Sequence, residues 1–177
     1  MNTQEILIVV DMQNDFVDGA LGTPEAVAIV PKVAEKIRQY HEAGKRVIFT
    51  LDQHRGETYA STIEGQHIPI PHCIVGERGW GLSPEIAAVI GERDISITKR
   101  SFGADWALLN FAPEVIEICG LCTDICVVSN ALALRARFPN TVITCDASCC
   151  AGSTPEKHEM ALEIMRGCAI DVYNWKE

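Results

Sequence analysis

The chain has 177 residues, of which 47% are apolar and 22% are charged, and its formal net charge is −9. This length and composition fit one globular domain spanning residues 1–177 and argue against a disordered chain. The negative charge argues against nucleic acid or an anionic membrane surface as the main partner. The longest apolar runs, such as residues 6–10, are too short to span a bilayer. The first residues lack the basic region of a signal peptide, so we expect a cytoplasmic protein.

The apolar pattern alternates between short continuous runs and longer segments with helical periodicity. Residues 6–10 and 46–51 are apolar runs typical of buried strands, and Thr23-Pro24-Glu25 begins a helix that Gly44 closes. Further strands are predicted at 95–98, 115–119, 142–145 and 169–173, and further helices at 84–90, 104–110, 124–137 and 155–166. Six strands that alternate with helices predict a mainly parallel sheet in a three-layer α/β/α sandwich, a Rossmann-like architecture.

In open α/β sheets, ligands bind beyond the carboxyl ends of the strands. The residues that directly follow the predicted strands include Asp11, Asp52, Lys99, the segment 120–126 and Asp146. The long segment 52–82 carries no predicted element, and a loop of that length in a compact domain is usually functional. We therefore expect the site at this edge of the sheet, with 52–82 as its active-site and metal-binding loop.

Cys126 lies where a strand turns into a helix, within Cys119-Gly120-Leu121-Cys122-Thr123-Asp124-Ile125-Cys126-Val127. A thiol in the first helical turn faces unpaired N–H groups and the positive end of the helix dipole, which predicts a lowered pKa. The same N–H groups can stabilise an oxyanion. A cysteine near a helix start is nevertheless more often core filler, so the position alone assigns no role.

Two charged residues at neighbouring strand ends are candidate partners of that thiol. Asp11 could be a general base, a metal ligand or a solvated turn residue, and most lysines in the position of Lys99 are surface charges. A lysine beside a thiolate and a carboxylate would favour both anions.

Asp52-Gln53-His54 follows a strand and opens the long loop. Alternate residues of an extended segment point to the same face, so Asp52 and His54 can bind one metal ion. His72 from the far end of the loop would complete a mixed oxygen and nitrogen site typical of catalytic zinc, with Glu64 or His67 as a fourth ligand. The alternative is that both histidines are ordinary loop residues.

The eight cysteines allow a second, non-enzymatic hypothesis. The spacing of Cys119, Cys122 and Cys126 has elements of iron–sulfur and thioredoxin-like motifs. Cys119 ends a strand and should point into the sheet, and a fourth cysteine at suitable spacing is missing. Since no export signal is evident, we expect reduced thiols, with Cys149 and Cys150 left without an assigned role.

Three segments resemble motifs of the isochorismatase-like cysteine hydrolases, and in particular of the nicotinamidase (pyrazinamidase) subgroup, along essentially the whole chain. They are Val9-Val10-Asp11-Met12-Gln13-Asn14-Asp15-Phe16, Lys99-Arg100-Ser101-Phe102 and residues 119–127. The resemblance implies a catalytic triad of Cys126, Asp11 and Lys99. It also implies a cis peptide between Leu121 and Cys122, with the backbone N–H groups of Cys122 and Cys126 as the oxyanion hole.

The resemblance further implies hydrolysis of nicotinamide to nicotinate and ammonia through a cysteine thioester, as in NAD salvage. Asp52, His54 and His72 match the metal ligands of nicotinamidases, and Glu64 matches a fourth ligand of some members. The ion would be divalent, zinc ahead of manganese or iron. The expected partners are a small amide substrate and further copies of the chain in a homo-oligomer.

The chain departs from the nicotinamidase pattern in one respect. Many nicotinamidases place a tryptophan shortly before the loop histidine, whereas this chain has Ile68-Pro69-Ile70-Pro71. Phe16 is the candidate for one face of the substrate ring, and Trp80, Phe102 or Trp106 for the other. The alternative substrate is a small carbamoyl or ureido amide, hydrolysed without a functional metal.

Overall fold

A computed structural model describes residues 4–176. Its centre is a sheet of six parallel strands in the order β3-β2-β1-β4-β5-β6. The strands are β1 Glu5–Val10, β2 Arg46–Asp52, β3 Ile95–Lys99, β4 Val115–Leu121, β5 Val142–Ala151 and β6 Asp171–Tyr173. The helices are α1 Asn14–Val17, α2 Pro24–Glu42, α3 Gly56–Tyr59, α4 Ile63–His67, α5 Pro84–Ala87, α6 Val128–Arg137 and α7 Pro155–Gly167. The predicted parallel α/β architecture is confirmed, and the sheet is parallel throughout.

The order in which strands are added to the sheet reverses between β1 and β4, and this switch in strand order positions the site. From β1 the chain proceeds through α2 to β2 on one side, while β4 continues through α6 to β5 on the other. Because parallel crossovers are right-handed, α2 covers one face of the sheet, and α6 and α7 cover the opposite face. A crevice therefore opens between the carboxyl ends of β1 and β4.

The long helix α2 follows its sequence signals closely. The Thr23 hydroxyl accepts a hydrogen bond from the Ala26 N–H at 3.0 Å, and Pro24 occupies the first helical position. The apolar stripe formed by Val30, Val33 and Ile37 is buried against the sheet.

Several predicted elements differ from the structure in extent, and the strand predicted at 142–145 continues to Ala151 as β5. The segment 104–110 forms only a 3₁₀ turn at Trp106–Leu108, which the Asp105 carboxylate caps by accepting the Ala107 N–H. The predicted helix 84–90 is limited to Pro84–Ala87, and the segment 52–82 is not unstructured. It contains α3, α4 and a 3₁₀ turn at Arg78–Trp80, joined by short connections. Among residues 4–176, no helix is long and apolar enough to cross a membrane.

Candidate active site and metal centre

The turn after β4 places Cys126 at the crevice. Its helix begins with a π-helical turn, Thr123–Val127, in which the Cys122 carbonyl accepts the Val127 N–H at 3.0 Å, and α6 then continues it. The peptide between Leu121 and Cys122 is cis, as the family resemblance implied. Gly120 precedes it with φ +120°, and a Cβ at this position would lie 2.2 Å from the Val10 carbonyl oxygen. Only glycine therefore allows β4 to approach β1 so closely at the site.

The ends of three strands bring Asp11, Lys99 and Cys126 together. The Lys99 ammonium lies 2.7 Å from Asp11 Oδ2 and 3.4 Å from Cys126 Sγ. The Thr50 hydroxyl donates to Asp11 Oδ1 at 2.6 Å, which orients the carboxylate from the opposite side. All four side chains are buried. Asp11 also adopts φ +48°, a left-handed conformation that is uncommon outside glycine and often found at functional sites.

Burial dominates the titration of this group. Desolvation raises the pKa of the Cys126 thiol well above its ordinary value, and the Asp11 carboxylate adds to the effect. This direction is opposite to the lowered pKa expected for a thiol at a helix start, because burial removes the thiolate from water. Desolvation also raises the pKa of Asp11. The resting pair is thus a neutral thiol beside a carboxylate of increased basicity, the arrangement needed for proton transfer during attack.

The predicted metal ligands converge next to this group. One ligand atom from each of Asp52, His54, Glu64 and His72 lies within 4.8 Å of the others. Asp52 Oδ2 is 2.9 Å from His54 Nε2 and 3.4 Å from His72 Nε2, and Glu64 Oε1 is 3.3 and 3.5 Å from the same two nitrogens. Helix α4 turns Glu64 inward, whereas His67, the other candidate fourth ligand, is exposed.

The surroundings of these four residues fit a divalent ion. The Ile70 carbonyl lies 2.9 Å from His72 Nδ1, so this nitrogen can donate its proton there and leave Nε2 free for the metal. Glu64 Oε2 is buried and has no hydrogen-bond partner, which a bound cation would supply. Burial lowers the pKa of both imidazoles, but the carboxylates of Asp52 and Glu64 outweigh it and raise each to about 9. A metal must therefore displace protons from His54 and His72 on binding.

Gln13 is a supporting residue of the site that was not predicted from the sequence. Its side chain is fully buried and clamps the backbone of Asp52, accepting from the Asp52 N–H at 2.7 Å and donating to the Asp52 carbonyl at 2.9 Å. It also donates to the Trp80 carbonyl at 2.8 Å. Gln13 lies in the first motif, two residues after Asp11, and this proximity to a strand end was the available signal.

A cavity of about 280 Å³ connects Cys126 with the metal ligands. Phe16 and Phe102, two of the four predicted aromatic contacts, line it. Among the described residues, the lining does not include Trp80 or Trp106, so these two predictions are wrong. Trp106 is instead part of the core, where its indole N–H donates to Asn130 Oδ1 at 3.1 Å.

The cysteine-cluster hypothesis is not supported by the geometry. Cys119 is fully buried in β4, and all eight cysteines are free thiols. In the part of the chain that the structure describes, residues 4–176, the only close group of three or more potential metal ligands is the Asp52, His54, Glu64 and His72 set.

Comparisons with a family model and with known proteins agree on one protein family. The isochorismatase domain family matches residues 5–177. The nicotinamidase/pyrazinamidase of Mycobacterium tuberculosis is 28% identical, with 94% of this chain and 96% of that protein covered. A probable inactive nicotinamidase of Arabidopsis thaliana is also 28% identical, with 97% and 94% covered.

Solved structures agree. A pyrazinamidase of Pyrococcus horikoshii in complex with zinc superimposes with a TM-score of 0.80 at 29% identity, covering 97% of this chain and 99% of that one. An N-carbamoylsarcosine amidase of Thermoplasma acidophilum shares the fold, with a TM-score of 0.79 at 23% identity and 98% of each chain covered.

Proposed function

We propose that this chain, which belongs to the isochorismatase family, is a nicotinamidase-like hydrolase that converts nicotinamide to nicotinate and ammonia with the help of a bound metal. One observation carries the proposal: a single cavity is lined both by Cys126 and by three of the four clustered metal ligands, Asp52, Glu64 and His72. A small amide with a ring nitrogen can therefore present its carboxamide to the thiol and its nitrogen to the metal centre at the same time.

In the first half of the reaction, Asp11 accepts the thiol proton as Cys126 Sγ attacks the carboxamide carbon. Burial lowers the pKa of Lys99, but the carboxylates of Asp11 and Asp52 outweigh it, so Lys99 keeps its positive charge. Its ammonium balances the negative charge that develops on the reacting groups. The backbone N–H groups of Cys122 and Cys126 are the proposed oxyanion donors. The carbon–nitrogen bond then breaks, and the amine leaves as ammonia with the proton held by Asp11.

In the second half, water enters the position vacated by ammonia. Asp11 accepts one proton from that water while its oxygen attacks the thioester carbon. The carbon–sulfur bond breaks, the proton returns to Cys126 Sγ, and the acid product is released. The same carboxylate thus acts as base and then acid in each half.

The divalent ion would be held by Asp52, His54, Glu64 and His72. Zinc is the proposed ion, and manganese and iron are the alternatives. When bound, the ion supplies a Lewis-acidic position that orients the substrate through a ring nitrogen. The zinc complex of the Pyrococcus relative supports this assignment. Phe16 and Phe102 are the proposed ring contacts, and Phe16 packs edge-on against His72 with ring centroids 5.3 Å apart.

Ammonia release from nicotinamide by the zinc-loaded protein tests the proposal. A Cys126→Ala variant should lose at least about 10⁴-fold in kcat, because removing a covalent nucleophile removes the thioester route. Absence of turnover by wild-type protein with zinc, manganese or iron would refute the substrate assignment. That outcome has a precedent, since one similar protein is described as probably inactive.

The remaining enzymatic alternative is a carbamoyl or ureido amide hydrolysed without a metal. Elemental analysis of the purified protein separates the two. Stoichiometric metal that is lost in a His54→Ala variant supports the nicotinamidase proposal, whereas full activity without metal favours the alternative.

A further inference from the structure

Lys157 lines the active-site cavity, and the mechanism gives it no role. It lies in the first turn of α7, on a different wall from the metal ligands. Among residues 4–176, it is the only lysine or arginine in the lining, and no carboxylate lies within ion-pair distance of its ammonium. Four of the other lysines, Lys36, Lys45, Lys99 and Lys176, are ion-paired.

The backbone on either side of Lys157 is connected by hydrogen bonds to the turn Thr123–Val127, which carries Cys126. On one side, the Ser153 N–H and hydroxyl both donate to the Asp124 carboxylate, each at 2.7 Å. On the other side, His158 Nδ1 lies 2.8 Å from the Thr123 hydroxyl. The flanking Gly152 permits this approach, since a Cβ there would meet His158 at 2.8 Å. The position of Lys157 relative to Cys126 is therefore set by the fold, although its side chain is exposed.

The charges that line the cavity indicate which substrate groups Lys157 could bind. Asp52 and Glu64, the other permanently charged residues of the lining, are carboxylates that face the metal centre. The chain as a whole carries a formal net charge of −9. Outside the metal centre, Lys157 is therefore the one charged side chain of the lining among residues 4–176, and an anionic substituent that points away from the metal would be attracted to it.

We propose that Lys157 determines specificity by binding an anionic substituent of the substrate, so that this site takes small aromatic amides that bear a carboxylate as well as uncharged ones. The proposal rests on the proposed amide hydrolysis and extends its substrate class. The scissile carboxamide meets Cys126, the ring lies among the apolar side chains, and the carboxylate meets the ammonium at the start of α7. Lys157 accordingly takes no part in bond breaking.

The test compares nicotinamide with 5-carbamoylpyridine-3-carboxylate, its carboxylate-bearing analogue, on zinc-loaded protein. In Lys157→Met, kcat/KM for the carboxylate-bearing amide should fall about fivefold, the upper range of a solvent-exposed ion pair, while nicotinamide changes less than about twofold. Lys157→Glu should cause a larger selective loss, and Lys157→Arg should retain the activity. Lys32→Met is the matched control, because Lys32 is also exposed, lies on α2 and does not line the cavity. The preference should weaken as salt screens the pair.

Equal effects of Lys157→Met on both amides would overturn the assignment, and so would failure of wild-type protein to hydrolyse the carboxylate-bearing amide while it hydrolyses nicotinamide. If neither amide is hydrolysed, the proposed function fails and the lysine is tested by binding alone. Calorimetry with pyridine-3,5-dicarboxylate and the Cys126→Ala protein should then show about fivefold weaker binding when Lys157→Met is added. Unchanged binding would refute the role of Lys157.

Discussion

The Asp52 carboxylate accepts a hydrogen bond from the Lys99 ammonium at 3.2 Å through Oδ1, while its other oxygen faces the metal-binding histidines. One side chain thus belongs to both halves of the site. Burial raises the pKa of Asp52, but His54, His72 and Lys99 outweigh this and hold it well below its ordinary value. Asp52 therefore remains an anion available to both partners.

This shared carboxylate predicts that Asp52→Asn damages two properties at once. Metal affinity should fall about 100-fold or more because a charged ligand is lost, and kcat should remain reduced at saturating metal because Lys99 loses a counter-charge. Metal titrations followed by turnover measurements at saturation separate the effects. Full recovery of kcat by added metal would show that Asp52 serves the metal alone.

A pair of histidine variants tests the ligand set. His54→Ala should weaken metal binding by more than about 100-fold, because a direct ligand is lost, and it should lower the metal-dependent rise in Tm, since an ion that binds only the folded state stabilises it. His67→Ala is the control from the same segment. His67 is exposed and its Nδ1 contacts the Ile63 carbonyl, so metal content and Tm should be unchanged. Equal losses in both variants would contradict the assignment of Glu64 over His67.

The substitution Thr50→Val is expected to shift the pH profile of kcat/KM. Desolvation raises the pKa of Asp11, and the Thr50 hydroxyl opposes it by donating to the charged form. Removing this donor should raise the pKa of Asp11 further, so the acidic limb of kcat/KM should move to higher pH. The base must be ionised to act, which means that activity is lost from the acid side first. An unchanged or lowered limb in rate measurements from acidic to neutral pH would exclude Asp11 as the base.

Gln13→Met should destabilise the protein and weaken its metal site. The variant keeps a similar volume but leaves the Asp52 N–H and two carbonyl groups without their partners, at a cost of about 2–4 kcal/mol. Denaturant unfolding of metal-free protein measures the stability loss, and metal titration measures the displacement of Asp52. Gln66→Met is the control, because Gln66 is exposed on α4 and should tolerate the change.

The common location of Asp11, Lys99 and Cys126 could be predicted because each of them ends or follows a predicted strand, whereas their assignment as a triad came from the family resemblance. Asp11 follows an apolar strand, Lys99 follows the alternating segment 95–98, and Cys126 follows a strand through a short turn, so parallel pairing brings all three to one edge. The Asp52 and His54 pair was readable for a similarly local reason, since alternate residues of an extended segment share a face. The family resemblance, not the spacing, indicated the cis peptide at Leu121–Cys122.

Other features could not be read from local pattern. Whether Glu64 or His67 is the fourth metal ligand depends on how α4 is rotated against the rest of the segment 52–82. Trp106 lies in the core, where its indole N–H donates a hydrogen bond to Asn130. The raised pKa of Cys126 follows from burial by distant parts of the chain. The roles of Gln13 and Lys157 depend on contacts with residues well separated in sequence.

The sequence by itself determined the alternation of strands and helices, the parallel sheet, and the residues gathered at its carboxyl edge, because periodicity and strand ends are local properties. Only the tertiary structure decided that Asp52 serves both Lys99 and the histidines, that the thiol is neutral at rest, and that a lysine of α7 lines the cavity. Those features arise from desolvation and from distances between segments far apart in the chain, which local sequence patterns do not encode.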